Sequence, residues 1–315
     1  MTTNLTYDVA IIGGGAAGLS GAVALARSLR SVIVVDAGEP RNGPAAGAHN
    51  VLGREGISPL ELLAAGRGEA EQYGAQIRQD RAVTAHRIDG GFEVGLAGGD
   101  SVRARRLLLA SGLVDELPEV PGVREFWGTS VLHCPYCHGW EVRGQRIGVL
   151  GTNPNSIHQT LLFRQLSEHV TLFRHSMAEP DAQVQDQLTA LNIEVVEGSV
   201  RQLRGESGAV RAVVLEDGRE FPVDAVAVAP RFLARAELFE QLGGTLTEHP
   251  FGAFIEADPR GATALPGVWA AGNASDLAAM VTAATASGVV AGAAINADLV
   301  TEDANAAVRA RAERA

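Results

Sequence analysis

Residues 8–18 read DVAIIGGGAAG, an apolar run that passes directly into three glycines and then into small residues. This order predicts a β-strand, a glycine turn, a helix over residues 16–30 and a second strand over residues 31–35 that ends at Asp36. Two strands joined through a helix form a β-α-β unit, in which the strands run parallel. We therefore assign the chain to the α/β class.

The same turn has the spacing G-x-G-x-x-G, which binds dinucleotides where a strand passes into a helix. Gly13 makes the turn, Gly15 lets backbone N–H groups approach a pyrophosphate, and Gly18 lets the helix pack against the strand. The Asp36 carboxylate can accept hydrogen bonds from ribose hydroxyls and would repel a 2′-phosphate. We predict that Gly13, Gly15, Ala17, Gly18 and Asp36 bind FAD or NAD rather than NADP. The alternative is a glycine turn that holds no ligand.

The β-α-β pattern restarts in the middle of the chain, with strands over 147–151 and 169–175 around a helix over 156–167. Turn sequences also predict antiparallel meanders over 81–110 and around a hairpin over 209–221. We predict two Rossmann-like, three-layer nucleotide-binding domains, the second inserted into the first, each with a small antiparallel β-meander. The predicted bounds are 1–117 and 246–315 for the first domain and 118–245 for the inserted one.

Composition narrows the class of protein. Hydrophobic residues make up 46% and charged residues 20% of the 315 residues, which excludes a disordered chain. The formal net charge of −11 would repel nucleic acid and an anionic membrane surface. The N-terminus has no basic region before its apolar run, so we expect a cytoplasmic protein. Residues 277–297 carry no charge, but they are mostly small, which predicts a closely packed buried helix rather than a membrane span.

The chain has two cysteines, Cys134 and Cys137, within the sequence HCPYCH. A C-x-x-C pair forms a disulfide easily, and a neighbouring imidazole such as His138 can take a thiol proton and return it. C-x-x-C-H is also the attachment signature for c-type haem, but haem attachment would require export. A zinc site is another alternative, in which His133, Cys134, Cys137 and His138 would have to complete a tetrahedron within six residues. An inert buried pair is a further alternative. We predict a redox pair with His138 as acid–base group, and no metal.

Over essentially its whole length the chain resembles the low-molecular-weight thioredoxin reductases, FAD-dependent pyridine nucleotide-disulfide oxidoreductases. The resemblance implies a homodimer, an FAD domain, and an inserted NAD(P)-binding domain that carries the cysteines. It also implies flavin contacts at positions that match the family's motifs: Arg41, Asn50, Ala110, Ser111, Gly112, Gly272 and Asn273. Asn273 stands where the family usually has Asp.

By the family pattern Cys137 faces the flavin, Cys134 exchanges with the substrate, and His138 replaces the usual Asp. The second glycine loop departs from the family: residues 151–156 read GTNPNS, in which two glycines are lost and Pro154 lacks an N–H donor. The sequence Arg-His-Ser over 174–176 also weakens the clamp for an NADPH 2′-phosphate.

A subset of the family, the gliotoxin- and holomycin-type dithiol oxidases, has a similar Cys-x-x-Cys-His-Gly-aromatic-Glu segment, which residues 134–141 match. We therefore predict an enzyme that oxidises a small-molecule dithiol through the cysteine pair and FAD, with oxygen as acceptor. One alternative is an NADPH-dependent reductase of thioredoxin or of a low-molecular-weight disulfide. Another is a flavin-bound redox sensor. The use of NADPH stays open at this point.

Overall fold

The computed structural model describes residues 6–314, which divide into two compact units. The first unit contains the described residues through Gly43, then Val51–Val114, and the residues from Phe232 onward. The second unit contains Pro44–Asn50 and Asp115–Arg231. The residues of the second unit thus interrupt those of the first in sequence.

The end of the second unit differs from the predicted bound at residue 245. Residues 232–245 belong to the first unit because Leu238 and Phe239 are buried in the same hydrophobic core as Tyr7 and Phe92. This contact spans well over a hundred residues of sequence, so no local pattern marks it.

The first passage of chain supplies the elements of a nucleotide-binding fold. They are β1 (Thr6–Ile12), α1 (Ala16–Arg27), β2 (Val32–Asp36), α2 (Pro59–Gln72), β3 (Gln76–Gln79), β4 (Ala82–Ile88), β5 (Gly91–Leu96), β6 (Ser101–Leu109) and β7 (Leu113–Glu116). The first helix ends at Arg27 rather than at the predicted residue 30, because Leu29 adopts a positive φ of 61°.

The middle passage repeats the pattern inside the second unit. Its elements are β8 (Val131–Leu132), α3 (Pro135–His138), β9 (Ile147–Leu150), α4 (Asn155–Leu166), β10 (Val170–Phe173), α5 (Ala182–Ala190), β11 (Glu194–Val196), β12 (Val200–Glu206), β13 (Ala209–Leu215), β14 (Glu220–Pro222) and β15 (Ala225–Val228).

The last passage completes the first unit. It forms β16 (Arg231–Ala234), α6 (Glu237–Gln241), β17 (Thr247–His249), β18 (Gly252–Phe254), β19 (Val268–Ala270), a 3₁₀ turn (Gly272–Ala274) and α7 (Val281–Ala312).

The main sheet of the first unit has the strand order β3-β2-β1-β6-β5-β4, with β19 also paired to β6. β1, β2, β3, β6 and β19 pair in parallel, whereas β4, β5 and β6 pair antiparallel. The predicted meander therefore shares β6 with the parallel sheet. A smaller sheet has the order β17-β18-β16-β7.

Alternate residues of β1 point to opposite faces of this sheet, as the period of a strand requires. Val9 and Ile11 lie in the core with residues of α1 and α7, whereas Ala10 and Ile12 lie in the core with the meander and Phe239. These layers confirm the predicted α/β, Rossmann-like class.

The uncharged segment after Asp276 forms α7, a helix long and apolar enough to cross a membrane by length and composition. One face of α7 packs on α1 through small residues: a Cβ on Gly288 would overlap the carbonyl oxygen of Ala17. The prediction of a helix is confirmed from Val281 onward, but its other face is open, and Val289 and Val290 are exposed.

The second unit has a parallel sheet with the order β11-β10-β9-β15-β8 and an antiparallel sheet with the order β12-β13-β14. Phe163 of α4 and Leu188 of α5 are buried in the core on one face of the parallel sheet. Phe173 and Val226 lie in the core that includes β12 and β13. Gly218, at the tip of the predicted hairpin, has a φ of 87°, so the turn residue is where the sequence places it.

Candidate functional site

The two cysteines lie at the start of α3, where they form a disulfide with their Cα atoms 5.2 Å apart. Pro135 occupies the first position of this short helix, which its fixed φ favours. The carbonyl oxygen of Cys134 accepts hydrogen bonds from the backbone N–H groups of Cys137 (3.2 Å) and His138 (3.1 Å). This single turn brings the two sulfurs together and places His138 directly after them.

The backbone before the disulfide is fixed by buried hydrogen bonds from α4. Gln159, which is 3% exposed, donates through Nε2 to the carbonyl oxygens of His133 (2.7 Å) and Val228 (2.9 Å). The imidazole Nδ1 of His133 also lies 3.1 Å from the Val228 carbonyl oxygen. His133 is thus engaged in holding the turn.

His138 has a buried Nε2 that makes no hydrogen bond within residues 6–314. Burial lowers the pKa of His138 below its usual value of 6.5, while the negative charge of Glu141 acts to raise it and His49 acts to lower it. Because the pKa is lowered, the imidazole is neutral at pH 7 and able to accept a proton.

Sequence reasoning missed the contacts of the segment Pro44–Asn50 with this turn. His49 Nε2 lies 3.6 Å from Glu141 Oε1, and Asn50 Nδ2 donates to the carbonyl oxygen of Tyr136 at 3.0 Å. Asn50, whose φ is 61°, is expected from the family pattern to contact flavin, yet its amide is engaged with the segment between the cysteines. Glu141 is part of the quoted motif, but His49 carries no signal in the sequence.

The first glycine loop leaves the N-terminus of α1 open. Gly13 has a φ of 104°, and a Cβ on Gly18 would overlap the carbonyl oxygen of Gly13. A Cβ on Gly15 would meet no atom within 4 Å. Gly15 is the N-cap residue of α1, and it has no side chain that could accept a hydrogen bond from the first N–H groups of the helix. The first turn of α1 therefore offers backbone N–H groups and the positive end of a helix dipole to an anion.

The carboxylate at the end of β2 is held in place before any ligand binds. Asp36 Oδ1 accepts a hydrogen bond from the backbone N–H of Gly14 (3.1 Å), and Oδ2 accepts one from Arg67 Nη2 (2.8 Å). Arg67, on α2, was not found from the sequence. The guanidinium of Arg67 balances the charge of Asp36, which weakens the repulsion expected between Asp36 and a 2′-phosphate.

The second glycine loop, before α4, satisfies its own donors. Asn153 Oδ1 accepts from the backbone N–H of Asn155, the first residue of α4, at 2.9 Å, and Ser156 Oγ accepts from the backbone N–H of Thr152 at 3.3 Å. Asn153 Nδ2 donates in turn to the carbonyl oxygen of Ala229 at 3.4 Å. Side chains thus occupy the positions at which a dinucleotide site leaves backbone donors open.

The residues after β10, expected to form a reduced phosphate clamp, are also engaged. Arg174 Nη2 lies 2.7 Å from Glu197 Oε2. His175 Nδ1 accepts a hydrogen bond from the backbone N–H of Val200 at 3.0 Å, and burial lowers the pKa of His175. A neutral His175 and a paired Arg174 have little charge to offer a phosphate.

A family model described as pyridine nucleotide-disulphide oxidoreductase matches residues 7–288. The chain belongs to this family. Thioredoxin reductase tcpT of Claviceps purpurea is 34% identical over 305 residues, covering 93% of this chain and 94% of the relative. Thioredoxin reductase sirT of Leptosphaeria maculans is 30% identical over 315 residues, covering 92% and 93%. The crystal structure of HlmI matches with a TM-score of 0.92 and 41% identity, covering 99% of this chain and 98% of that one.

These findings confirm the resemblance to thioredoxin reductase-like enzymes and establish the chain as an oxidoreductase. Pyridine nucleotide-disulphide oxidoreductases of this type bind FAD and use NADPH. The open N-terminus of α1 fits the pyrophosphate of FAD, because no side chain fills the space beside Gly15. Gly13, Gly15, Ala17, Gly18 and Asp36 are the residues that would hold the adenosine diphosphate part.

The remaining positions expected to contact flavin lie in the first unit, apart from Asn50. Arg41 Nη1 is 3.5 Å from Asn273 Oδ1, so these two positions meet in the structure. Ser111 Oγ donates to the carbonyl oxygen of Arg235 at 2.6 Å, and Gly112 has a φ of 74°. The other two positions are held through their backbone N–H groups. Ala110 N–H donates to the carbonyl oxygen of Ile12, and Gly272 N–H donates to the hydroxyl Oγ of Ser287.

Asn273 makes more internal contacts than its sequence position indicates. Its Nδ2 donates to the carbonyl oxygens of Asp276 (3.0 Å) and Ala279 (2.9 Å), which fixes the loop before α7. Within residues 6–314 no group of three or more His, Cys, Asp or Glu side chains is arranged to hold a metal ion.

Proposed function

We propose that this oxidoreductase is an FAD-dependent dithiol oxidase, which converts a small-molecule dithiol to a disulfide at Cys134 and Cys137 and passes the electrons to oxygen. The observation that carries the proposal is the contrast between the two glycine loops. No side chain of the described residues meets the N-terminus of α1 beside Gly15, whereas Asn153 Oδ1 accepts the backbone N–H of Asn155 at the start of α4 and Arg174 is paired with Glu197. A second nucleotide site closed in this way favours electrons that enter from a thiol rather than from NADPH.

The cysteine pair and His138 can carry out the thiol chemistry. His138 takes the proton of one substrate thiol, and the thiolate attacks the sulfur of Cys134, which breaks the Cys134–Cys137 bond and leaves Cys137 as thiolate. The second substrate thiol loses its proton to solvent and attacks the substrate sulfur of the mixed disulfide, which releases the substrate disulfide and the Cys134 thiolate. Two electrons then reside on the cysteine pair.

When bound, FAD supplies the two-electron acceptor that returns the pair to the disulfide, and oxygen takes the two electrons with two protons to form peroxide. The assignment of Cys134 as the attacked sulfur and Cys137 as the flavin-facing one follows the family pattern. His138 serves the first step because its lowered pKa keeps it neutral at pH 7.

Anaerobic stopped-flow absorbance of the FAD-loaded protein tests the proposal. Dithiothreitol should reduce the flavin faster than NADPH or NADH at equal concentration, and admission of oxygen should restore the oxidised spectrum with formation of peroxide. The variant Asn153→Gly, which frees the backbone N–H of Asn155 from the Asn153 side chain, should raise the NADPH rate and leave the dithiothreitol rate unchanged. Fast, saturable reduction of the wild type by micromolar NADPH would contradict the oxidase assignment.

That contrary result would favour a reductase of thioredoxin or of a low-molecular-weight disulfide. Thioredoxin reductase is the activity in the names of tcpT and sirT. We further propose, from the resemblance, that the enzyme acts as a homodimer in the cytoplasm. Sedimentation of the FAD-loaded protein should give twice the mass of the 32.8 kDa chain.

A further inference from the structure

We propose that Glu141 and His49 are positioning residues for proton transfer at His138: Glu141 stabilises the proton that His138 receives, and His49 competes with His138 for the Glu141 carboxylate. The inference rests on the proposed function only for the source of this proton, a substrate thiol. The electrostatic coupling of the three side chains can be measured without substrate.

Glu141 lies in the turn that follows α3 and beside His49. Glu141 follows His138 by three residues, in the continuation of the α3 turn, and its Oε1 lies 3.6 Å from His49 Nε2. His49 comes from a segment that is held on this turn by the neighbouring hydrogen bond from Asn50 Nδ2 to the Tyr136 carbonyl oxygen at 3.0 Å. His49 is therefore fixed beside Glu141 by a contact other than its own.

A protonated His138 needs a compensating charge. Its buried Nε2 has no hydrogen-bond acceptor within the described part of the chain, and a buried cation without a partner is strongly unfavourable. Glu141 supplies a negative charge that raises the pKa of His138, against the effect of burial. His49 opposes this effect: it acts to lower the pKa of His138, and its Nε2 lies 3.6 Å from the same carboxylate.

Other charged groups near α3 are engaged elsewhere. Arg143 stacks on Trp140, with its Cζ 4.0 Å from the ring centroid, and its Nη1 donates to the Trp140 carbonyl oxygen at 2.6 Å. On α4, which packs against α3, Arg164 donates to the carbonyl oxygen of Leu191 at 2.9 Å, and His158 is exposed. His133 bonds to the Val228 carbonyl oxygen. Beside burial, which lowers the pKa of His138 most, Glu141 acts to raise it and His49 acts to lower it.

The two neighbours should shift His138 in opposite directions. Loss of the Glu141 charge should lower the pKa of His138, because the imidazolium loses its stabilising anion. Loss of His49 should raise it, because a competing cation is gone. Each change should be about 0.5 pH unit, the size expected for one charge acting across a partly exposed site.

An NMR titration of the oxidised, FAD-loaded protein with ¹³C-labelled histidine tests this directly, with the His138 signal identified by its loss in His138→Asn. The His138 titration should move to lower pH in Glu141→Gln, to higher pH in His49→Gln, and stay near the wild-type value in Glu141→Asp, which retains the charge. Glu168→Gln removes the same charge from an exposed residue of the second unit and should cause no shift.

A shift in the same direction for both neighbours, or no shift in Glu141→Gln, would overturn the proposal, and an unchanged titration in His49→Gln would remove His49 from it. The pH profile of flavin reduction by dithiothreitol provides the second measurement. Its rate should fall as the pH falls through the pKa of His138, and this limb should move with the NMR titration in each variant. If the NMR shifts appear while NADPH proves to be the reductant, the inference stands and the oxidase proposal alone fails.

Discussion

The two glycines Gly15 and Gly18 lie one turn apart at the start of α1, yet an added methyl group should have opposite effects at the two positions. Gly15 has φ −79° and ψ −174°, a conformation that alanine adopts freely, and a Cβ there meets nothing within 4 Å. A Cβ on Gly18 would overlap the carbonyl oxygen of Gly13. The substitution Gly15→Ala should therefore affect FAD, whereas Gly18→Ala should affect the fold.

The magnitudes follow from these contacts. Gly15→Ala should leave the free energy of unfolding of the apoprotein unchanged or raise it by about 0.4–1 kcal/mol, because alanine restricts the unfolded chain. Its methyl group should displace the pyrophosphate from one backbone donor, a loss of about 1.5–3 kcal/mol for a hydrogen bond to a charged group. That loss corresponds to an FAD dissociation constant raised on the order of 10- to 100-fold. Gly18→Ala should lower the free energy of unfolding by about 1–3 kcal/mol through overpacking.

Urea denaturation of FAD-stripped protein and fluorescence titration with FAD measure the two quantities separately. The wild type and Gly15→Ala should unfold at similar urea concentrations, and the FAD titration should distinguish them. If Gly15→Ala binds FAD as tightly as the wild type, the α1 N-terminus is not the pyrophosphate site. If its apoprotein is destabilised as much as that of Gly18→Ala, the space beside Gly15 is not open.

Three further predictions concern other parts of the molecule. Cys137→Ser should bind FAD but lose the long-wavelength thiolate-to-flavin absorbance on reduction, whereas Cys134→Ser should keep that band and lose turnover; the reverse pattern in reduced spectra would exchange their roles. Gly288→Ala should lower the free energy of unfolding by about 1–3 kcal/mol because its methyl group meets the backbone of α1, and an unchanged urea midpoint would contradict this. Asp224, whose pKa is lowered to about 2 by hydrogen bonds from Arg146, should stabilise the fold above its usual pKa of 3.8 and lose this effect as the pH falls toward about 2. Asp224→Asn should thus cost about 1 kcal/mol at pH 7, after allowance for solvent exposure of the pair, and urea denaturation should show the difference from the wild type narrowing between about pH 4 and about pH 2.

Local patterns predicted the elements that determine the fold. The apolar run before Gly13 and the small residues after it specify β1 and α1 without any distant contact, and the turn sequence at Gly218 specifies a hairpin. Element ends were less accurate where an unusual conformation intervenes. Leu29 has a positive φ that its side chain does not favour, so the end of α1 at Arg27 carries no sequence signal.

Contacts between distant residues account for what the sequence did not reveal. Arg67 pairs with Asp36 only because α2 returns beside β2, and His49 reaches Glu141 across about ninety residues of sequence. The hydrogen bonds of Asn153 before α4 could be predicted only in part. The sequence showed that Asn153 replaces a glycine, but only the structure shows that its amide accepts the N–H of Asn155 and donates to Ala229.

The packing of α7 on α1 has a consequence for synthesis of the chain on the ribosome. α1 is translated well before α7, so the buried residues Ala17 and Gly21 of α1, on which α7 packs, remain uncovered until α7 has left the exit tunnel. The unit formed by Pro44–Asn50 and Asp115–Arg231 has all of its strands well before that moment and can fold first. Ribosome-bound chains that end before α7 should therefore yield a protease-resistant inserted unit beside a protease-sensitive first unit, with flavin captured only after α7 has emerged.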